Sequence, residues 1–171
     1  MWRLEERGAE IKESSRYLIT LFVALLVVSS LSGCATGPIL DGRFIAYDNG
    51  TVLDTKTNLM WAAEDNGSNI DWASAKSYCE NYRGGGYTDW RMPTQDELAG
   101  LYDSSKSYKA TQRRHNVHIT ELIQLSACCP WASETRGSKG ADVNFIHGGK
   151  VWGPRSASAP GHRALPVRSG E

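Results

Sequence analysis

Chemistry in this chain would fall to its thiols, its imidazoles and one dense charged stretch. That stretch is DWRMPTQDELAGLY, Asp89 to Tyr102, where Arg91, Asp96 and Glu97 stand among large apolar residues. The thiols are Cys34, Cys79, Cys128 and Cys129, and the imidazoles are His115, His118, His147 and His162. Thiolates attack and bind metals, imidazoles act as bases or ligands, and paired carboxylates do acid–base work. The spacings assemble none of these. No G-x-S-x-G elbow occurs. The adjacent Cys128 and Cys129 lack the two-residue gap of a zinc knuckle, and no histidine sits at ligand spacing from Cys79. Asp48, Asn49 and Asp54 lack the order and closing Glu of a calcium loop, and DVNF, Asp142 to Phe145, is the nearest approach to a calcium–sugar motif. No catalytic residue, metal site or cofactor is expected, and each histidine reads as a solvated loop residue.

The charged stretch reads as a structural corner. Thr94 and Glu97 have the T-x-x-E spacing of a capping box, in which each satisfies a backbone N–H of the other. Asp96 and Glu97 fall in the first helical turn, where the macrodipole favours negative charge. Pro93 keeps Met92 extended. Trp90 and Met92 are expected to plug the core, and Arg91 to pair with a nearby carboxylate or carbonyl.

The compartment decides what the cysteines do. Leu18 to Val28 form an apolar run as long as a signal-peptide core and short for a membrane span. The run leads to LSGC, Leu31 to Cys34, which resembles the lipobox of bacterial lipoproteins. That resemblance implies a signal peptide over 1–33, lipidation of Cys34 and a mature chain of 138 residues. With Ala35 rather than Asp after the cysteine, it implies an outer-membrane lipoprotein facing the periplasm or the cell surface. The first 16 residues carry four basic and four acidic side chains, an unusual start for a signal peptide. In a disulfide-permissive space three further cysteines remain. Cys79 with Cys128 or Cys129 would close a loop of about fifty residues, worth on the order of 4 kcal/mol; a Cys128–Cys129 bridge is the strained alternative.

The elements follow from pattern. Residues 34–42 read as a tether, and 43–171 as one domain of ordinary size. RFIAY, TVLDT and LMWAA read as strands separated by Asp-Asn-Gly and by a turn in which Asn58 takes a left-handed conformation. A first helix starts at Trp72, capped by Asp71, with Trp72, Ala75, Cys79 and Tyr82 on one stripe, and stops at Gly84–Gly86. PTQDELAGLY gives the second helix, with Leu98, Leu101 and Tyr102 facing the core. Residues 103–118 read as a long polar loop, ITELIQLS as a helical turn, and the rest as short antiparallel strands. Strands, two helices and strands make the class α+β.

The runs DNGTVLDTKTNLMW, DWASAKSYCENYRGGGYTDWRMPTQDELAGLYD, WASET and HRALPVR together resemble the Lcl C-terminal-domain family, a domain of unknown function named for a bacterial collagen-like adhesin. The likeness covers roughly residues 43–169. Its middle is also similar to the formylglycine-generating enzyme group. Both imply a C-type-lectin-like fold, two helices on a twisted, mostly antiparallel sheet. Ser169 stands where many members carry a cysteine, so their disulfide pattern does not transfer to Cys79. ACCPW lacks the context of the oxidase's cysteine pair, so its activity does not transfer either.

Zero formal net charge argues against nucleic acid as a partner. The charge is segregated, however. Cys34 to Asp103 holds 5 basic and 11 acidic residues, and Ser104 to Glu171 holds 10 and 4. Arg113, Arg114, Arg136, Lys139, Lys150 and Arg155 are the candidate ligand-binding residues, suited to sulfated or carboxylated polymers. The family's adhesin is linked to such polyanions, so the resemblance points the same way. The expected function is a lipid-anchored binding module of the envelope rather than an enzyme, with adhesion to or recognition of an anionic glycan as its role. The alternatives are an assembly lipoprotein contacting a protein partner through aromatics such as Trp152, and redox chemistry at Cys128–Cys129. Oligomeric state is left open.

Overall fold

Turn residues set the register of the first strands. In the computed structural model, which describes residues 37–112, 115–156 and 160–170, β1 (Ile39–Asp41), β2 (Phe44–Tyr47), β3 (Thr51–Asp54) and β4 (Leu59–Ala62) form an antiparallel meander. Asn58 has φ 53°, so the β3–β4 turn is left-handed at the asparagine. The expected tether over 34–42 is therefore too long: Ile39–Asp41 pairs with β2 as an edge strand. Cys34 and the signal-peptide residues lie outside the described residues.

The first helix, α1 (Trp72–Asn81), begins where Asp71 accepts from Ser74 N (3.0 Å). It buries Ala75 and Cys79 against Met92, Trp131 and Ala164. The indole of Trp72 lies over Gly140, where an added Cβ would sit 2.5 Å from Cδ1, and its Nε1 donates to Ala132 O (2.7 Å). The second helix, α2, spans only Gln95–Ala99, shorter than PTQDELAGLY suggested. Both halves of the capping box are present between Thr94 and Glu97. Leu98 and Leu101 are buried.

The second half is a meander of β7 (Cys129–Arg136), β8 (Lys139–Asn144) and β9 (Gly149–Pro154). The polar loop of residues 103–118 contains a small hairpin, β5 (Tyr108–Lys109) with β6 (Asn116–Val117). ITELIQLS makes a single hydrogen-bonded turn, Ile123 N to Thr120 O (3.2 Å), and no helix. HRALPVRS supplies two strands. β10 (His162–Arg163) lies parallel to β7, where an antiparallel strand was expected, and β11 (Val167–Ser169) pairs antiparallel with β4. One short segment thus enters both sheets, ordered β1-β2-β3-β4-β11 and β10-β7-β8-β9. The whole is α+β and mostly antiparallel.

That segment is fastened by two arginines. Arg163 is 1% exposed. Its Nε donates to Ser126 Oγ (2.5 Å), and its other nitrogens donate to Asn69 Oδ1 (2.8 Å), His162 O (2.8 Å) and Gln112 Oε1 (3.0 Å). Ser126 Oγ donates in turn to Asp65, whose carboxylate also accepts from Ser126 N (2.7 Å) and Gly67 N (2.8 Å). A hydroxyl has one proton and two lone pairs, so Ser126 can serve both neighbours. Arg168 donates to Asp89 (2.7 Å) and lies 3.8 Å over the Tyr87 ring.

The DWRMPTQDEL corner meets the same segment. Arg91 and Val167 exchange backbone hydrogen bonds (2.9 and 3.0 Å). Trp90 and Met92 are buried, and Pro93 O accepts from Ser133 N (2.8 Å). The Arg91 guanidinium donates twice to Glu97 (2.8 and 2.6 Å). Those bonds, with the Thr94 N–H, hold the Glu97 carboxyl below its ordinary value of 4.5 against the opposing effect of burial.

The cysteine pairing differs from the expected one. Cys128 and Cys129 are bonded to each other, and Cys79 is a free, buried thiol, so the Cys79 bridge to Cys128 or Cys129 is corrected. The helix that carries Cys79 turns it into the cluster with Ala75, Met92, Trp131 and Ala164. The Cys128–Cys129 unit is held between Phe145 N, which donates to Cys128 O, and Gly161 O, which accepts from Cys129 N.

Three outcomes follow for stability. Asp65→Ala strands the charge of Arg163 in the interior and is expected to cost on the order of 3–5 kcal/mol in urea unfolding. Reducing Cys128–Cys129 opens a ring of only two residues, so native stability should fall by about 1 kcal/mol, not the roughly 4 of a long-range bridge. Glu97 has a folded value depressed below its ordinary 4.5, so its contribution is present above pH 4.5 and is lost as pH falls from there through the lower folded value. Between about pH 6 and about pH 3 the unfolding free energy of Glu97→Gln should therefore change less than that of the unaltered protein.

Candidate functional site

The β7–β8–β9 meander sorts the candidate basic residues by face. Side chains on a strand alternate, so Lys139, Ala141 and Val143 share one face of β8. Their register partners are Arg136 and Pro154 for Lys139, Trp152 for Ala141 and Lys150 for Val143. Arg136, Lys139, Trp152 and Lys150 therefore lie on one face. Ala141 and Val143 are buried there, and Trp152 packs partly onto the same core. The face emerges into solvent at the β7–β8 hairpin and at Lys150. These two ends are four residues apart along β8, roughly 13 Å.

The hairpin end is the more electropositive. The Arg136 guanidinium lies 4.1 Å over the Trp152 ring. A cation over an aromatic face is attracted by the ring's quadrupole and is less free to move than one on a bare side chain. Lys139 is exposed beside it, and among the described residues neither Arg136 nor Lys139 makes a salt bridge. At the other end Lys150 is paired with Asp96, which offsets its charge. Glu134 accepts from Gln95 N (3.0 Å to each oxygen), so its carboxylate is turned to the start of α2.

Arg155 does not join this group. Its guanidinium lies 5.6 Å over Trp72, which covers Gly140 on the opposite face of β8. Arg113 and Arg114 lie outside the described residues. The structure thus brings Arg136 and Lys139 together around Trp152, places Lys150 farther along that face and separates Arg155.

Other groups are absorbed into the fold. His162 stacks on Trp131 with ring centroids 3.9 Å apart, and its Nε2 is 3.5 Å from the buried Asp142. His118 Nδ1 is 2.8 Å from Lys106 O, and His147 Nδ1 accepts from Gly149 N. His118 and His162 are thus built into contacts, not solvated as expected. Asn144 Oδ1 accepts from Ile146 N (2.9 Å), which spends that side chain of DVNF on a turn. Among the described residues no three His, Cys, Asp or Glu side chains cluster as a metal site. Burial pushes the Cys79 thiol up to about 12, so it stays protonated near neutrality. Trp152 lies half-buried beneath Arg136 rather than projecting as a bare aromatic.

Sequence reading missed the Trp152 platform and the Arg163 network. The first needs strand register across two hairpins. The second joins residues 37 to 94 positions apart. Its one visible signal is Arg163 of HRALPVR, a charged side chain next to the apolar run Ala164 to Val167.

No curated protein and no solved structure matches the chain. The family model for the Lcl C-terminal domain matches residues 50–168, taking in the charged corner, the Arg136–Trp152 face and the C-terminal HRALPVR run. The match spans well over half of the sequence, and the chain belongs to the Lcl C-terminal domain family.

Proposed function

We propose that this chain is a lipid-anchored binding module of the cell envelope, with a C-type-lectin-like arrangement, that recognises an anionic glycan or polymer at the β7–β8 hairpin. The observation that carries this reading is the Arg136 guanidinium 4.1 Å over the Trp152 ring with Lys139 beside it. A guanidinium presented on a rigid aromatic loses little freedom on meeting a carboxylate or sulfate, and it offers paired donors to either. The lysine adds a point charge, and the net positive second half of the chain supplies the wider field. The anchoring part of the proposal rests on LSGC at Leu31 to Cys34 behind an apolar run of signal-peptide length.

Heparin chromatography tests the recognition. The protein should be retained at moderate salt and elute as salt screens the contacts. Arg136→Ala with Lys139→Ala removes two charge-assisted contacts and should weaken binding at least about tenfold. Arg155→Ala, on the other face, should change it little. Absence of retention, or retention indifferent to Arg136, Lys139, Arg113 and Arg114 alike, overturns the reading.

A further inference from the structure

The barest apolar surface among the described residues lies far from that hairpin in sequence. Ile39 and Leu40 on β1 are 62% and 68% exposed. Neighbouring residues of a strand point to opposite faces, so this edge strand is apolar on both. A groove of about 350 Å³ runs beside it, lined by Ile39, Leu40, Lys106, Ser107, Glu121 and Leu122. The strand is held firmly: β2 pairs along its inner side, and Asp41 accepts from Thr120 Oγ1 (2.6 Å) and from Lys106. Open edges are ordinarily short, charged or covered, because bare apolar ones invite association.

We propose that the Ile39–Leu40 edge of β1 seats in the headgroup region of the bilayer that holds the lipid on Cys34. This rests on the lipid-anchored reading above. Ile39 stands five positions after Cys34, with four residues between them, and a fully extended chain over those five steps reaches at most about 17 Å. A domain of this size has a radius of gyration of roughly 14 Å, so such a tether is shorter than the domain is wide. The end that carries β1 must therefore face the membrane. The aliphatic side chains are removed from water there, and Lys106, already paired with Asp41, can leave its ammonium among the headgroups while its stem lies on the apolar edge. A second copy of the chain fits less well: three residues of strand and two aliphatic side chains fall far short of the roughly 1,200 Å² of a stable interface.

The test uses the full chain purified in its processed form, with Leu40→Cys carrying an environment-sensitive fluorophore. Cys79 is buried and Cys128 and Cys129 are bonded, so the label goes to the introduced position. The protein is placed in phosphatidylethanolamine–phosphatidylglycerol vesicles with and without nitroxide-bearing acyl chains. Strong quenching at position 40, with emission moved to shorter wavelength, is expected. Val151→Cys on β9, also exposed, should show neither. A chain of lipidated mass without quenching at position 40, or with equal quenching at both positions, overturns the inference and leaves the anchor standing. Cross-linking of two copies through position 40 in place of quenching overturns it in favour of a dimer. A mass without lipid removes the anchored reading and this inference together.

Discussion

A guanidinium buried to 1% exposure has to find acceptors for its donors, and Arg163 finds them in three distant parts of the chain, at Ser126, Asn69 and Gln112, and in the carbonyl of the adjacent His162. This requirement organises the molecule. Asn69 and Gln112 come from loops, Ser126 from the approach to β7, and Asp65 supplies the compensating carboxylate through Ser126. None of these segments can drift without uncovering a charge in a medium of low polarity. The same geometry places β10 alongside β7 in parallel, because the arginine enters the network from that strand.

From β10 the chain has only three residues before β11 completes the other sheet against β4. Ala164 and Leu165 are buried in that short passage and belong to different apolar clusters. The C-terminal segment is therefore the seam between the sheets. The DWRMPTQDEL corner closes the seam from the other side through the Arg91–Val167 backbone pair, while Arg168 reaches Asp89. These two charged motifs are thus in contact, and their charges serve folding. Arg91 and Glu97 brace the corner.

Function is left to what the seam does not use. The β7–β8 hairpin projects beyond it with Arg136 on Trp152, and β1 is left bare at an edge of the first sheet. One surface offers cations on a rigid aromatic, the other aliphatic groups on a short strand. On the reading proposed above, the first would meet an anionic polymer in the aqueous space and the second the bilayer.

Local sequence determined the local structure. Asp71 and Thr94 cap helices through bonds spanning three residues, and Asn58 supplies a left-handed turn, because each depends on neighbours along the chain; α1, in contrast, ends at Asn81 with Tyr82 extended, before the glycines at 84–86 expected to stop it. The α+β order and the family were legible for the same reason, since motif spacing survives without knowledge of contacts. Tertiary structure alone decided that Cys128 bonds to Cys129 while Cys79 stays apolar filler, that Ile39–Asp41 is strand rather than tether, and that β10 runs parallel. It alone decided that Arg136 and Lys139 share a face from which Arg155 is excluded. These depend on which segments meet, and a strand register displaced by one residue would reverse every face. The cost of leaving one buried guanidinium unpaired selects the arrangement, and no window of sequence contains all of its partners.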